Sequence, residues 1–469
     1  MNTPSLSLGH DRKAALETAF EILRESWEGF DSARPGQPPT SASSLALLSQ
    51  VVPSAGIGAI AALREAEVFL DESLAQSRPR FFGYVGSSGL EVGVLAEALS
   101  ASHDVNMASV AATATMVEQQ TIQWVSEFVG FGATHGVITS GGMLSNLTAL
   151  AVAREQALPG TRQTGSDGRG TLYISAEAHS SIDRSAELLG LGSNSVRVIP
   201  IDENRRMNVG VLESQIQADI ANGLVPVAVV ATAGTTLTGA VDPIRALSDV
   251  CKRHGVWLHV DGAYGLPAAA TDSAGALFDG IDLADSATID AHKWLFVPKA
   301  CGVLLVREND ALLATFGHAA SYMVDVEENP VDRTLEYSRP FRSLKLWVAF
   351  RAHGADAIRA ALDDNIQLAQ RLAEMVVETP NLELVVEPQL SIVPFRRLPR
   401  KGSVDRHNSA IARQMQSDGD AYVTSAIVDG KTVLRPCFTN FRTTLDDITE
   451  LLGIVEKTGA FLESQEGNE

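Results

Sequence analysis

Lys293 stands in the run Asp290-Ala291-His292-Lys293-Trp294, directly before the apolar residues Leu295 and Phe296. An amine held against apolar side chains gives up its proton more easily than one in water, and the neutral amine condenses with an aldehyde to a Schiff base. A solvated surface lysine is the ordinary alternative, and these flanks do not resemble a solvated face. Asp261, in His259-Val260-Asp261-Gly262-Ala263-Tyr264, closes a run of buried type. An acid there is costly without a partner. It either caps the next turn or pairs with a protonated pyridine nitrogen, which keeps a ring able to accept electrons. Ala263 would then offer a small surface under that ring. In Ser140-Gly141-Gly142-Met143, Gly141 and Gly142 permit close backbone approach, and a helix starting near Met143 presents free N–H groups to a phosphate. Gly-Gly before a helix also serves as a plain turn. His179, in Ala178-His179-Ser180-Ser181, supplies a flat ring that stacks on a planar ligand or simply caps a strand end. Thr232 and Thr235 could bond to the ligand or to Asp261. Amine, acid, phosphate cradle and stacking ring together describe a site for pyridoxal 5'-phosphate (PLP).

These residues must be positioned by strand ends. Short apolar, β-branched runs predict strands over 136–139, 171–175, 196–199, 226–232, 256–260, 286–289 and 302–306. Helices are expected between several of them, over 146–154, 181–189 and 243–253, after a long helix over 105–131. Alternating strands and helices imply an α/β fold with a mostly parallel sheet, whose ligand sits beyond the carboxyl ends of the strands. Five such ends deliver Gly142, His179, Thr232, Asp261 and Lys293 to one edge. Farther on, helices over 344–353, 355–378, 408–417 and 444–461 and strands over 382–386, 390–395 and 432–437 predict a smaller C-terminal α/β domain. At the other end, an amphipathic helix over 11–27 precedes a loop over 31–44 rich in Pro, Ser, Gly and Thr.

A chain of 469 residues exceeds one simple core. With 37 basic against 57 acidic residues, net −20, it offers no broad surface for nucleic acid or anionic membranes. Its three cysteines, Cys251, Cys301 and Cys437, show no metal-ligand spacing and suit a reducing, cytoplasmic setting. No metal is expected, and no apolar run is long enough to span a bilayer. A nicotinamide dehydrogenase would need a Gly-x-Gly-x-x-Gly turn with an acid downstream, and the chain has none.

With these residues in place, the sequence resembles the group II PLP-dependent amino-acid decarboxylases from about residue 78 to 458. The resemblance rests on Arg78-Pro79-Arg80-Phe81-Phe82-Gly83-Tyr84, Thr139-Ser140-Gly141-Gly142, Ala178-His179-Ser180-Ser181, His259-Val260-Asp261-Gly262-Ala263-Tyr264, Asp290-Ala291-His292-Lys293-Trp294 and Phe341-Arg342-Ser343-Leu344-Lys345-Leu346-Trp347. It implies a fold type I homodimer with active sites between subunits. Residues 1–75 would be a helical segment packing across the dimer, 76–343 the large PLP-binding domain and 344–469 the small domain. It further implies that Lys293 holds PLP as a Schiff base, His179 stacks on the ring and Asp261 pairs with its nitrogen. Gly142, Met143, His292 and Asp290 would surround the phosphate. The family usually has Asn where Asp290 stands, and an acid beside a phosphate is unfavourable unless protonated or turned away. The implied reaction is loss of CO2 from an L-amino acid.

Three departures bear on the outcome. The family's mobile-loop tyrosine, which protonates the product carbon, has no match in residues 325–330; Tyr322 and Tyr337 lie nearby. Without it the same start can end in oxidation to an aldehyde, and β-elimination or C–S cleavage is a weaker rival. Asn106, Ala108 and Val110 replace bulky side chains, which favours a large or polar substrate. Val85-Gly86-Ser87-Ser88 replaces a Phe-Pro-Thr segment, leaving Tyr84 and Ser87 as candidate substrate contacts. Arg342 and Lys345 either neutralise an anion or form structural ion pairs. A catalytically silent, regulatory PLP-fold subunit is the reading from a different class.

Overall fold

The computed structural model describes residues 6–30, 39–317 and 329–466. Seven strands form the main sheet: β1 (His135–Thr139), β2 (Gly170–Ser175), β3 (Val196–Ile199), β4 (Val225–Thr232), β5 (Trp257–Asp261), β6 (Ser286–Asp290) and β7 (Gly302–Val306). Their order is β1-β7-β6-β5-β4-β2-β3. The pairs from β6 to β3 are parallel, while β7 runs against both of its neighbours. Strands covered on both faces read as unbroken apolar runs, which is why all seven were legible in the sequence.

Alternation along each strand feeds two cores. Leu258 and Val260 of β5, with Val229 and Ala231 of β4, face the core that contains Leu247 and Val250 of helix Ile244–His254. On the other face, Ala228 and Val230 meet Leu150 and Ala153 of helix Gly142–Ala157. That helix also packs Ala149 and Val152 on β1 and β7. Trp257, His259 and Asp261 point the same way, because residues two apart on a strand share a face.

The predicted helix over 105–131 is shorter than expected and spans only Thr113–Val129. Residues 105–112 form an irregular turn in which Asn106 Oδ1 accepts the Ala108 N–H at 3.0 Å and Thr115 Oγ1 accepts the Ala111 N–H at 2.8 Å. Ala42–Leu48, Ala59–Asp71, Glu91–His103, Val209–Ala221 and Asn309–Phe316 are helices with no counterpart in the sequence reading. The first of these starts inside the expected loop, whose residues 31–38 lie outside the described ones. The two helices expected around residue 354 are separated by Gly354 at φ 80°, ψ 160°.

A second sheet, β8 (Leu382–Leu384), β9 (Phe395–Arg397), β10 (Ser425–Val428) and β11 (Lys431–Leu434), is antiparallel in the order β10-β11-β9-β8. It shares a core with helices Val404–Asp418 and Leu445–Glu466 through Ile411, Met415, Leu451 and Val455. Phe82 joins this core, and its backbone bonds Tyr422 at 2.8 Å and Cys437 at 3.0 Å. The apolar run over 390–395 is mostly not strand. Pro394 and Pro436 have no N–H to give, and Ile392–Cys437 remains an isolated bridge.

At the N-terminus, helix Arg12–Phe30 buries only Ala15 and Thr18. Leu16 and Phe20 stay 52% and 58% exposed. Among the described residues no helix is long and apolar enough to cross a membrane.

Candidate active site

The ends of β4, β5 and β6 lie side by side, with Thr232 opposite Asp261 and Asp261 opposite Thr288. The Asp290 N–H donates to Ala263 O at 3.1 Å, which brings the turn after β5 against the end of β6. The glycine loop after β1 closes the third side. A Cβ on Gly142 would stand 2.9 Å from Asp290 Oδ2 and 3.0 Å from Ala263 Cβ; one on Gly141 would stand 3.2 Å from His292 Cε1. Only glycine lets the start of helix Gly142–Ala157 come this close. The helix begins at Gly142 and Met143, so its first N–H groups have no partner within the helix and open toward the same cup.

Lys293 Nζ lies 3.0 Å from Asp290 Oδ2, and the lysine side chain keeps 25% exposure while that of Asp290 has 4%. Asp290 is therefore turned to the lysine. Its Oδ1 is buried without a hydrogen-bond partner among the described residues. His292 Nε2 is 3.8 Å from Asp290 Oδ2, and its Nδ1 meets the Cys301 main chain at 3.1–3.2 Å. Burial pulls the His292 pKa down, against the charge of Asp290. The indole of Trp294 is fully buried and stacks on Tyr264 at 5.1 Å, with Nε1 bonded to Asn365 at 3.0 Å. That anchor fixes the turn carrying Lys293.

Asp261 is buried, and its oxygens accept from the Ala263 N–H at 3.2 Å and from Asn146 Nδ2 at 2.9 Å. Asn146 also donates to Ser181 Oγ at 3.0 Å, tying the His179 loop to the same carboxylate. The His179 ring is exposed, and its Nδ1 accepts the Ser181 N–H at 3.2 Å. Thr232 Oγ1 is buried and unbonded among the described residues. Thr235 does not reach Asp261. Its hydroxyl is engaged by Glu177 at 3.2 Å and Thr238 at 2.9 Å, and Glu177 is in turn held by Arg205 at 2.7 Å.

The expected substrate contacts divide differently. Tyr84 sits at φ 58°, its hydroxyl 3.1 Å from that of Tyr422. Ser87 is buried and spends its hydroxyl on Val297 O at 3.4 Å. Asn106 and Ala108 hold residues 331–339, through Arg339 N to Asn106 Oδ1 at 3.3 Å and Val331 N to Ala108 O at 2.9 Å. No contact joins them to Lys293 among the described residues of this chain. Tyr322 lies outside the described residues. Arg342 and Lys345 form ion pairs, with Glu336 and Glu97, both at 2.8 Å.

The sequence reading missed Asn146, His259 and Arg435. The alternation Trp257-x-His259-x-Asp261 was the available signal for His259. Arg435 is buried, donating from Nε to Thr236 O at 2.7 Å and from Nη1 to Tyr84 O at 3.2 Å. Its Nη2 is buried with no partner among the described residues. A buried guanidinium with an unused donor suits an anion.

The cup suits PLP on its own evidence. An amine that can condense with an aldehyde, a glycine cradle at a helix start and a Thr232 hydroxyl unpaired among the described residues all border it, and the buried acid Asp261 accepts from the neutral donors Asn146 Nδ2 and Ala263 N.

The family model of the pyridoxal-dependent decarboxylase conserved domain matches residues 60–398. An aromatic-L-amino-acid decarboxylase of Bacillus atrophaeus is 34% identical over 387 residues, covering 80% of this chain and 80% of that relative. A phenylacetaldehyde synthase of Arabidopsis thaliana is 28% identical over 410 residues, with 82% of each chain covered. A crystal structure of mouse CSAD superposes with a TM-score of 0.88 at 29% identity, covering 95% of this chain and 98% of that one.

Proposed function

The chain belongs to the pyridoxal-dependent decarboxylase family, and from that premise we propose that it removes CO2 from a polar or bulky L-amino acid at the cup around Lys293. Bound PLP supplies an aldehyde for the substrate amine and a ring that takes up the electrons left at Cα when CO2 departs. The observation that carries the reading is the convergence at one cup of the Lys293 amine, the Gly141–Gly142 cradle and the Asp261 carboxylate. In this reading Lys293 carries the cofactor and, once released, holds or passes a proton at Nζ, with Asp290 as its counterion. Asp261 keeps the ring nitrogen protonated. His179, exposed beside the cup, would stack on the ring, and Ala263 would lie against it. The N–H groups of Gly142 and Met143, with His292, take the phosphate. Arg435 meets an acid group of the substrate through Nη2. By how they hold the substrate carboxylate, the residues lining the cup would select CO2, rather than a proton, as the leaving group.

The family consists of enzymes, so the silent-subunit reading gives way. We assign residues 76–343 to the PLP-binding domain, 344–469 to the small domain, and 1–75 to an arm packed across a homodimer. Support for the arm comes from the exposed Leu16, Phe20, Leu45 and Leu48. In such a dimer Asn106 and Ala108 would serve the partner's cup. A cytoplasmic setting suits three free, buried cysteines.

One further outcome has specific support. Residues 325–330 hold no tyrosine, and a phenylacetaldehyde synthase is among the relatives. If no group protonates Cα, O2 takes two electrons from it and becomes H2O2, while water supplies the aldehyde oxygen and ammonia leaves. Incubation of the PLP-loaded enzyme with a panel of L-amino acids, with oxygen electrode and mass spectrometry, decides. An amine without oxygen uptake is the expected result. Aldehyde with equimolar oxygen loss would establish the oxidative outcome, and no CO2 from any amino acid would overturn both.

A further inference from the structure

Behind Asp261, on the side away from the cup, a row of polar groups crosses an otherwise apolar layer between β5, β6 and helix Gly142–Ala157. Trp257 Nε1 donates to Ser286 Oγ at 2.8 Å. Ser286 Oγ lies 2.8 Å from His259 Nδ1. His259 Nε2 lies 3.0 Å from Asn146 Oδ1, and Asn146 Nδ2 donates to Asp261 Oδ2 at 2.9 Å. Thr288 Oγ1 stands farther from His259 Nε2, at 3.5 Å. The row follows from register. Trp257, His259 and Asp261 share one face of β5, and His259 is paired with Ser286 across to β6.

The direction of every bond in the row is fixed from both ends. An ionised carboxylate only accepts, so Asn146 must offer Asp261 its amide nitrogen and turn its oxygen to His259. That oxygen requires a proton on His259 Nε2. The imidazole is wholly buried and its pKa falls to about 4, burial outweighing the pull of Asp261, so it is neutral and Nδ1 carries a lone pair. Nδ1 must then accept the Ser286 hydroxyl proton. From the other end, indole N–H only donates, so Ser286 Oγ accepts from Trp257 and passes its own proton on to His259. The two derivations agree at each link.

We infer that Trp257, Ser286, His259 and Asn146 are positioning residues, a one-way hydrogen-bond chain that holds the Asp261 carboxylate aimed at the ring nitrogen of the cofactor. The inference rests on the reading that Asp261 pairs with that nitrogen. A carboxylate with no fixed donor is free to turn about its own bond. Bonding one oxygen to an amide whose own orientation is fixed removes that freedom. Burial of the His259 ring keeps it from becoming a competing cation.

Polarity makes the chain testable with an isosteric pair. In His259→Gln the side-chain oxygen can accept from Ser286 and its nitrogen can donate to Asn146; in His259→Leu neither is possible. PLP dissociation constants, read from the visible absorption of the bound cofactor, are compared with melting temperatures for both variants, Ser286→Ala, Trp257→Phe and Asp261→Ala. Loss of one buried, directed hydrogen bond corresponds to roughly tenfold in an equilibrium constant. His259→Leu is therefore expected to weaken PLP binding about tenfold or more and His259→Gln about threefold or less, with Ser286→Ala between them. Trp257→Phe, which keeps the ring but not the N–H, should show the weakest loss of the three chain-breaking changes. A merely structural histidine would lower the melting temperature of both His259 variants without separating their PLP affinities. Equal PLP binding by the Gln and Leu variants overturns the chain. If His259→Leu does not fold, wild-type PLP binding by Ser286→Ala overturns it instead. Asp261→Ala tests the underlying reading separately: wild-type PLP affinity there removes Asp261 from the ring nitrogen, while its loss alongside unaffected chain variants removes only the chain.

Discussion

The floor of the cup and its rim differ in how their polar groups are used. On the floor, Asp261, Asn146, His259 and Ser286 are bonded to one another in a row with defined direction, and Asp290 is paired with Lys293. At the rim we propose, Arg435 keeps a buried Nη2 with no partner among the described residues and Tyr84 is half exposed. Asn106, which we assign to the partner's cup, is spent on main-chain groups of residues 108 and 339. The floor is preorganised, with its dipoles fixed before any ligand arrives, which suits electron withdrawal by a ring. The rim has donors left to spend, which suits a choice between substrates. On the roles proposed, chemistry and selectivity are separated in space.

The largest effect should come from the floor. Lys293→Ala is expected to lose the visible absorption of bound PLP and at least about 10³-fold in kcat/KM, because the amine that Asp290 holds at the cup is removed. Activity within tenfold of wild type would break the comparison outright. The next effect concerns stability. Two buried groups, His259 on β5 and Asp242 beside the end of β4, titrate in opposite senses. His259, lowered from 6.5 to about 4, binds fewer protons folded than unfolded between those values, so its contribution is full above pH 6.5 and is lost as pH falls toward 4. Asp242, bonded to the N–H groups of Met207 and Thr232 at 2.6 and 2.7 Å, is raised by burial to about 6. It keeps its proton longer when folded, so its contribution falls as pH rises from 3.8 to 6. Each is worth on the order of 3 kcal/mol across its window. Urea unfolding between pH 4 and 7 should show His259→Gln and Asp242→Asn tilting the stability curve in opposite directions, and a shared direction would refute this account of the two groups.

Much of the floor was legible in the sequence. Strands buried on both faces announce themselves as apolar β-branched runs, and the chemistry sits at their carboxyl ends, so Lys293, Asp261 and Gly142 could be found before any coordinates. The row behind Asp261 was not found. It depends on which residues of β5 face helix Gly142–Ala157 and on the register of β5 with β6, neither of which a local pattern states. The rim was the least legible. The turn over residues 105–112 carries helix-favouring alanines, yet Asn106 and Thr115 bond the backbone instead, and contacts from residues 331–339 hold it there. Arg435 is more than 350 residues from Tyr84 in sequence, and only the docking of the small sheet brings them together.

A rim effect should be smaller and should fall on binding. Arg435→Gln is expected to raise KM for the preferred amino acid by about tenfold with kcat changed less, since the guanidinium offers charge to the substrate before and during reaction alike. A loss confined to kcat would move Arg435 from rim to floor. Melting temperature must be followed in parallel, because Nε and Nη1 also tie Thr236 to Tyr84.

The smallest effect lies where floor meets phosphate, at Asp290. Its Oδ2 faces the Lys293 ammonium at 3.0 Å, and the cradle closes to 2.9 Å between that oxygen and the Cβ that Gly142 lacks. While Lys293 is a free ammonium, the acid is paid by its counterion. Once the amine is engaged with an aldehyde and a phosphate settles at the helix start, an anion stands near an anion. Asp290→Asn removes that repulsion and substitutes an amide donor, at the cost of the lysine's partner in the empty site. Both changes favour the loaded form, so PLP is expected to bind about three- to tenfold more tightly to Asp290→Asn, an increment of roughly one charge-assisted contact near a partly screened group. Equilibrium titration of PLP at low ionic strength reads it, and added salt should shrink the difference. Weaker binding would mean that Asp290 serves chiefly to hold Lys293 in place, which would make this acid part of the preorganised floor.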